Sequence, residues 1–382
     1  MQPVYLNYAS TSPRKSRRVI DAISSYLEEN RHMNSGRNID GLDDAAILLR
    51  SRLMLGRLFG VDNPSRVVFT SGVTASLNML LWGMLEAGDH VLSTSIEHNA
   101  VARPLTLLRK TKGIEVTWLE CEPDGTLDPA LVDAHVRKNT RLLVMSHASN
   151  VLGSILPVAS CFEAAKRHGL MTVLDSAQTA GGIDFRLDAN TDVIAFSGHK
   201  GLGGLGGAGG FVLGDGIGAK IHPWLTGGTG SVSHELDQPD FLPDKFEPGT
   251  PNTVGILALG ASVEELCEIG IATIREKEVR LTRRFLDGVR GLPAVVHGAG
   301  DADKSMPVVS LAVPGADLAV LARRLYDEHG ILIRCGLHCS PLAHRTAGTL
   351  PQGTLRFSFG YATTEQEIDL ALAALERVLS RR

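Results

Sequence analysis

The chain has 382 residues, of which 43% are hydrophobic and 21% are charged, and its formal net charge at pH 7 is −4. This length allows two domains, because single hydrophobic cores stop growing at roughly 250–300 residues. The composition is typical of a globular protein, and the slightly negative charge excludes the electrostatic footprint of a protein that binds nucleic acid or anionic membranes.

The hydropathy of the chain, its N-terminal residues and its cysteines predict a cytoplasmic protein that is not bound to a membrane. No apolar run reaches the roughly 18–20 residues that span a bilayer, and the N-terminus lacks the basic-then-apolar order of a signal peptide. The five cysteines are odd in number and mostly scattered, which disfavours a disulfide framework and fits a reducing compartment. No metal site is expected.

Short apolar segments alternate with amphipathic ones along residues 14–252. The predicted strands are RVVFT (66–70), HVLST (90–94), VTWLE (116–120), RLLVMSH (141–147), MTVLDS (171–176), DVIAFS (192–197) and GGFVLG (209–214). They are apolar nearly throughout, as in a sheet that is buried on both faces. Helices are predicted between several of them, for example at 74–85 and 159–169. This alternation predicts an α/β domain with a large, mainly parallel seven-stranded sheet.

The pattern changes after about residue 250. The predicted elements are a long helix from near Asn252, a highly charged helix within 275–292, strands at 308–313 and 354–360, a helix at 316–330, and a C-terminal helix capped by Thr364. We therefore predict a large domain at 14–252 and a smaller α+β domain at 253–382, joined by residues 1–13.

The stretch AFSGHKGLGGLGGAGGFVL, residues 195–213, holds one cation, Lys200, and then a run of glycines. Glycine costs stability through chain entropy, so this density needs a cause. A position between two predicted strands disfavours a disordered linker. The lysine precedes the glycines, unlike the lysine of a P-loop. We expect the backbone here to pass close to a bulky bound group.

Polar side chains follow two adjacent predicted strands. Asp175 ends one strand, with Gln178 three residues on, and Ser197, His199 and Lys200 end the next. Ligands of open α/β sheets bind beyond the carboxyl ends of the strands, where a desolvated carboxylate needs a cation. This pair suits pyridoxal phosphate (PLP), since a lysine links the cofactor and an aspartate keeps its pyridine nitrogen protonated. A helix N-cap role for Asp175 and a surface position for Lys200 remain alternatives.

The segment FTSGVTASLNML offers a strand, a Ser-Gly turn and a helix start. Backbone N–H groups of Val73 and Thr74, with the Thr74 hydroxyl, are placed to face an anion. This pattern suits the phosphate of the cofactor, although many strand–turn–helix units share it.

Together these motifs resemble the cysteine desulfurase and selenocysteine lyase family of class V PLP enzymes, which have the PLP-dependent transferase fold of type I. The resemblance runs from YLNYASTSP to TLRFSFGYATTEQEID. FSGHK resembles the lysine motif of the family, HASNVLGSILPV its asparagine-containing turn, and RCGLHCSP its catalytic-cysteine loop. FEPGTPN resembles a segment that crosses to the partner subunit. The short interval between Cys339 and Arg356 resembles the branch with a short, ordered cysteine loop.

The resemblance implies roles for individual residues. Lys200 and Cys339 are implied as catalytic, together with His98, which stacks on the cofactor ring. Asp175 is implied to pair with the pyridine nitrogen and Gln178 to contact the ring hydroxyl.

Further roles concern the phosphate and the substrate. The implied phosphate ligands are Val73, Thr74, Ser197 and His199. Thr250 is implied to reach the phosphate of the other subunit's cofactor. Arg356 is implied to bind the substrate carboxylate through a bidentate fork. Asn150 is implied to contact both the substrate and the cofactor. Simpler roles remain open: His98 as a turn cap, Arg356 paired with a surface carboxylate, and Cys339 as a buried, inert thiol.

The function implied is that of a homodimeric cysteine desulfurase with a shared active site. It would take L-cysteine to L-alanine and leave a persulfide on Cys339, whose thiolate is the nucleophile. His338 and Arg334 are expected to favour that thiolate. Alternatives are a selenocysteine lyase acting on L-selenocysteine, a class V aminotransferase and, outside enzymes, a non-catalytic sulfur-transfer scaffold. A sulfur-acceptor protein stays open as a partner.

Two positions depart from the family pattern. Asp40 stands where the resemblance leads one to expect a histidine, and Cys335 is an additional cysteine. Because Cys335 follows GILIR, which is typical of a strand, we expect it to be buried on one face and therefore inert.

Overall fold

The computed structural model describes residues 3–29 and 42–380; Asp40 therefore lies outside the described residues. The helices are α1 (Arg17–Glu28), α2 (Leu42–Phe59), α3 (Val73–Met84), α4 (Asn99–Thr111), α5 (Ala130–His135), α6 (Val158–Arg167), α7 (Thr253–Ile269), α8 (Ile271–Val289), α9 (Leu318–His329), α10 (Pro341–Thr346) and α11 (Glu365–Ser380). Within the described part of the chain, no helix is both long enough and apolar enough to cross a bilayer.

The strands lie in three sheets. They are β1 (Val4–Tyr5), β2 (Val67–Thr70), β3 (His90–Thr94), β4 (Glu115–Leu119), β5 (Thr140–Ser146), β6 (Met171–Asp175), β7 (Val193–Ser197), β8 (Gly209–Leu213), β9 (Val295–His297), β10 (Val308–Ala312), β11 (Ile331–Leu332), β12 (Arg334–Gly336) and β13 (Thr354–Ser358).

The largest sheet has seven strands in the order β2-β8-β7-β6-β5-β3-β4. Only β8 runs antiparallel to its neighbours, so the predicted large, mainly parallel seven-stranded sheet is confirmed. Alternate residues of β5 explain its unbroken apolar run: Leu143 and Met145 pack into one core, and Leu142 and Val144 into the other. Because both faces are buried, polar side chains concentrate at the strand ends.

The C-terminal part contains the antiparallel sheet β12-β13-β10-β9, which packs with α8, α9 and α11. Residues near the N-terminus join this part, because β1 pairs in parallel with β11. Helix α7 packs against α1 and α2, and the predicted division at residue 252 stays a prediction. Thr364 caps α11 as predicted: its Oγ accepts from the N–H of Glu367, whose carboxylate accepts from the N–H of Thr364.

The glycine run has a different cause from the one expected. A Cβ on Gly201 would lie 2.4 Å from the carbonyl oxygen of Ala180, and one on Gly210 would lie 2.1 Å from that of Val68. Such distances exclude any side chain. The expectation of a bulky bound group is therefore wrong for these positions, where the backbone approaches the chain's own backbone.

Candidate active site

Nine of the twelve predicted site residues line one cavity at the carboxyl ends of β3, β5, β6 and β7. They are Val73, Thr74, His98, Asn150, Asp175, Gln178, Ser197, His199 and Lys200. The other three, Thr250, Cys339 and Arg356, do not line this cavity. The sheet brings the nine together because its parallel strands end at a common edge, next to the start of α3.

Asp175, the last residue of β6, is 5% exposed. Its Oδ1 accepts from the N–H of Ala177 at 2.9 Å, so it caps a turn, although no helix begins there. Burial raises its pKa, and the charge of Lys200 opposes that shift. No ion pair to this carboxylate occurs within residues 3–29 and 42–380. A buried carboxylate without a cationic partner is suited to receive a cation from a ligand.

Lys200 follows β7 and is half-buried, which excludes the simple surface position. Burial lowers its pKa to about 8, while Asp175 raises it and Arg356 and Arg334 lower it. A substantial fraction of the amine is therefore neutral near physiological pH. A neutral lysine amine is the form that attacks carbonyl carbon.

The first turn of α3 forms the anion-binding end of the cavity. Gly72 precedes this helix and provides no side-chain cap for the first-turn N–H groups, of which that of Val73 donates to Ser197 instead. The N–H of Val73 lies 3.4 Å from Oγ of Ser197. His199 Nδ1 lies 3.0 Å from the Thr11 hydroxyl, and burial lowers the pKa of His199.

His98 both caps α4 and lines the cavity. Its Nδ1 accepts from the N–H of Ala100 at 3.0 Å. Burial, followed by the charges of Lys200 and Arg334, lowers its pKa to about 4. The turn-cap role is therefore real, and it holds a neutral imidazole at the cavity wall. Gln178, also at the wall, donates to the carbonyl of Ala9 at 3.1 Å.

Arg356 in β13 is 1% exposed and has no carboxylate partner in the described part of the chain, which excludes the surface ion pair. Its guanidinium donates to the carbonyl of Asn150 at 3.0 Å, to Oδ1 of Asn7 at 2.9 Å and to Oγ of Ser10 at 2.8 Å. Its Nε is buried without a partner.

The position of Arg356 is electrostatically unfavourable without a ligand. Arg334 lies directly opposite it across the β12–β13 pair, and like charges so placed are destabilising. Burial and Arg334 lower the pKa of Arg356 to about 9. A buried cation with an unused N–H is suited to receive a carboxylate from a ligand.

Cys339 lies in a strained loop between β12 and α10. It is exposed, which excludes the buried, inert thiol, and its Sγ is 3.6 Å from the Arg334 guanidinium. His338 and Cys339 have φ of 49° and 58°, a region that residues other than glycine rarely adopt. Such strain concentrates at functional sites.

Several hydrogen bonds hold the Cys339 loop, among them two made by the side chain of Asn150. Asn150 donates from Nδ2 to the carbonyl of His338 at 2.8 Å and accepts from the Ser340 hydroxyl at 2.6 Å. The N–H of Asn99 donates to the carbonyl of Cys339 at 2.9 Å. Asn150 thus joins the cavity wall to the loop.

A family model described as "Aminotransferase class-V" matches residues 4–371. The chain belongs to the class-V aminotransferase family. A "Probable cysteine desulfurase" of Pyrococcus abyssi is 32% identical over 325 residues, 82% of this chain and 79% of that protein. Another "Probable cysteine desulfurase", of Methanothermobacter thermautotrophicus, is 30% identical over 98% of this chain and 94% of its own length.

Solved structures show the same architecture. The apo structure of a cysteine desulfurase from Thermococcus onnurineus NA1 superposes with a TM-score of 0.91 at 28% sequence identity, covering 100% of this chain and 95% of that one. This class-V chain therefore has the PLP-dependent transferase fold of type I that the sequence predicts.

One expectation for the cysteine loop of this class-V chain is wrong. Burial, and then Arg356, lower the pKa of His338 to about 2, so a neutral His338 cannot favour a thiolate by charge, whereas the Arg334 guanidinium lies 3.6 Å from the sulfur of Cys339. Cys335 in the edge strand β12 is half-buried and packs against the core of the C-terminal part, which agrees with the expected burial on one face.

Glu97 was missed by the sequence reasoning. It is fully buried between β3 and β5, where it accepts from Thr94 Oγ at 2.6 Å and from the N–H and hydroxyl of Ser146 at 2.9 and 2.6 Å. Burial raises its pKa to about 7. It fixes the strand end that carries His98. The available signal was a carboxylate immediately before the histidine of SIEHNAV.

Proposed function

We propose that this class-V protein is a PLP-dependent cysteine desulfurase, which converts L-cysteine to L-alanine and leaves a persulfide on Cys339. The observation that carries the proposal is the exposed Cys339 thiol, held in a strained loop beside Arg334. The charge of Cys339 raises the pKa of both Lys200 and Arg356. The thiol therefore lies near the Lys200 amine and near Arg356, the proposed carboxylate site. The names of the two relatives and of the similar structure support the same activity.

The cavity residues fit PLP. Lys200 supplies an amine for covalent linkage, Asp175 a buried carboxylate for the pyridine nitrogen, and the start of α3 an uncapped helix end for the phosphate. His98 would cover the ring and Gln178 would contact its hydroxyl. When bound, PLP supplies an electron sink that makes bonds at the substrate α- and β-carbons easier to break.

The chain's own residues would bind the substrate and move protons. Arg356, whose Nε has no partner among the described residues, would hold the substrate carboxylate with its guanidinium fork. Lys200, with a pKa of about 8, accepts and returns the proton at the substrate α-carbon. Cys339, as thiolate beside Arg334, is the nucleophile toward the substrate sulfur.

A homodimer with a shared site is part of the proposal. Thr250 is exposed and does not line the cavity of its own subunit. A residue that binds the cofactor phosphate in the partner subunit is expected to lie in such a position. Trp224, Leu225 and Phe241 are 52%, 51% and 50% exposed, and a second copy would cover such side chains. Sedimentation at assay concentration should give a dimer, and a fully active monomer would contradict this. A cytoplasmic location is proposed from the five free cysteines.

A substrate panel tests the function. L-cysteine, L-selenocysteine and amino acids without sulfur are supplied separately, while alanine, sulfide or selenide, and 2-oxo acids are measured. The proposal expects equal amounts of alanine and sulfide from L-cysteine. Exclusive turnover of L-selenocysteine would indicate a lyase for that substrate, and 2-oxo acids without sulfide an aminotransferase. No product, with no cofactor absorption band, would indicate the scaffold.

A further inference from the structure

A second cavity lies next to the candidate active site, and Lys200 and Gln178 line both. It has a volume of about 240 Å³. Its apolar walls come from α7, α8, the start of β10 and the end of β13, and consist of Leu266, Ile269, Ile274, Met306, Val308 and Phe359. We call it the Glu278 cavity, after the carboxyl group that α8 places in its wall. An apolar cavity of roughly 150 Å³ holds benzene, so this one has room for a small organic molecule.

The carboxyl group of Glu278 has no partner in the protein. The residue is 6% exposed, and its Oε2 is buried without a hydrogen bond. Within residues 3–29 and 42–380 it forms no ion pair. The nearby cations Arg275 and Lys277 donate instead to the carbonyls of Asp303 and Tyr361. A buried acidic group without a partner is costly, and the proposed function gives Glu278 no role.

The other charged side chains of the Glu278 cavity show which sign of ligand it fits. Lys15 donates from Nζ to the carbonyl of Gly204 at 2.7 Å, and Arg14 pairs with Glu367 at 2.6 Å. These cations are therefore already satisfied. Glu265 of α7, a further carboxylate in the wall, forms no ion pair with any residue that the structure describes. The groups that lack a partner are acidic, so the cavity fits a cation better than an anion.

We propose that the Glu278 cavity binds a small organic ammonium ion, whose N–H pairs with the Glu278 carboxylate and whose carbon body packs against the apolar walls. An inorganic cation is disfavoured, because the walls are mainly apolar and no cluster of three or more potential metal ligands occurs among the described residues. The ligand would lie beside Lys200 and Gln178, in a site separate from that of the substrate. The proposal does not depend on the proposed function, in which Glu278 takes no part.

Binding of an ammonium ion should release a proton. Burial raises the pKa of Glu278 to about 8, and the charges of Arg275 and Lys277 oppose that shift, so the group is mostly protonated at pH 7. A bound cation favours the carboxylate. Affinity should therefore rise by about tenfold per pH unit below pH 8 and level off above it. The titratable groups that face the cavity from other elements are Tyr8, Arg14, Lys15, Lys200, Glu265 and Tyr361.

The test uses the holoenzyme and N,N-dimethylbutylamine, a tertiary amine that cannot form an imine with the cofactor. The neutral probe 1-pentanol is its control. Calorimetry in two buffers of different ionisation enthalpy measures both the affinity and the number of protons released. The variant is Glu278→Gln, which keeps the shape of the side chain, and Glu276→Gln, on the exposed side of the same helix, is the matched control. Because Lys200 also has a pKa of about 8, only the loss of proton release in Glu278→Gln assigns the proton to Glu278.

We expect the native protein to bind the amine about tenfold or more tightly than the alcohol, with release of a proton at pH 7. Glu278→Gln should lose about tenfold or more in affinity together with the proton release, and Glu276→Gln should behave like the native protein. Saturating L-alanine should leave the affinity unchanged. No binding, equal binding of the alcohol, unchanged affinity in Glu278→Gln, or displacement by L-alanine would overturn the proposal. Binding without proton release would also overturn it, even if the Glu278→Gln protein does not fold. The substrate panel decides the proposed function separately.

Discussion

The sheet side of the site and the Cys339 loop differ in burial and in backbone strain. On the sheet side, Asp175 and Ser197 end buried strands and are 5% and 4% exposed. On the loop side, Cys339 is exposed, and its φ of 58° follows one of 49° at His338. The first region is rigid by packing, whereas the second is held by a few hydrogen bonds, chiefly those of Asn150.

This difference separates two tasks. A cofactor has to be held in one orientation through every turnover, which a packed sheet edge achieves. A nucleophile that receives sulfur and passes it on has to be reached from outside, which only a surface loop allows. Changes on the sheet side should therefore alter cofactor binding, and changes on the loop side should alter only sulfur chemistry.

Lys200→Ala should give the largest effect. The covalent link to the cofactor is lost, and turnover falls by roughly 10³-fold or more, because no other neutral amine lines the described cavity. The protein should still fold and bind PLP non-covalently through Asp175 and the start of α3. Absorption spectra with borohydride treatment measure this. Cofactor still fixed to the variant by borohydride would show that Lys200 is not the linking residue.

Cys339→Ser should separate the two regions most cleanly. Sulfide production from L-cysteine falls by about 10²-fold or more, since the nucleophile is gone. The cofactor spectrum and its change on adding L-cysteine should stay as in the native protein. Selenide production should be partly spared, because selenium leaves more easily. A loss of cofactor in this variant would contradict the separation.

Arg356→Lys tests the carboxylate site, which lies between the two regions. Lysine keeps the charge but lacks the fork, so KM for L-cysteine should rise by about tenfold or more, with a smaller fall in kcat. Arg283→Lys, on the exposed surface, is the matched control. Equal KM values for the native and Arg356→Lys proteins would remove Arg356 from substrate binding.

The pH dependence of cofactor uptake tests the environment of Lys200. The neutral amine is the deprotonated form, and burial lowers the pKa to about 8. The rate at which the apoprotein forms the covalent link should rise about tenfold per unit below pH 8 and level off above it. Stopped-flow absorption follows this rate. A rate still rising through pH 10 would indicate an ordinary, solvated lysine.

Cys335→Ser should have the smallest effect. The thiol is half-buried against the core of the C-terminal part and lies in β12, so turnover should stay within about twofold of the native value. A loss comparable to that of Cys339→Ser, measured as sulfide production, would mean that the loop carries a two-cysteine mechanism.

The sheet side was predictable from the sequence because its chemistry is tied to periodicity. Apolar runs predicted all seven strands of the large sheet within one residue. Gln178, His199 and Lys200, which follow two of these strands, line the cavity as expected. The glycine run was located correctly but misinterpreted at positions such as Gly201 and Gly210, where the close neighbours are backbone oxygens of other segments. No local pattern reveals such a close approach.

The loop side was less predictable because its properties arise from tertiary contacts. A charged His338 was expected from sequence proximity, but burial beside Arg356 keeps it neutral. Arg334 lies opposite Arg356 only because of the register between β12 and β13. Asn150 and the loop residue His338, which it binds, are separated by almost half of the chain. None of these contacts leaves a signal at short range in the sequence.

The central claim is that Cys339 takes the substrate sulfur. Mass spectrometry of the unreduced protein after treatment with L-cysteine, with fragmentation that separates Cys335 from Cys339, tests it most directly. We predict one added sulfur atom on Cys339 and none on Cys335. Added sulfur on Cys335, or full desulfurase turnover in Cys339→Ser, would contradict the account and move the nucleophile away from Cys339.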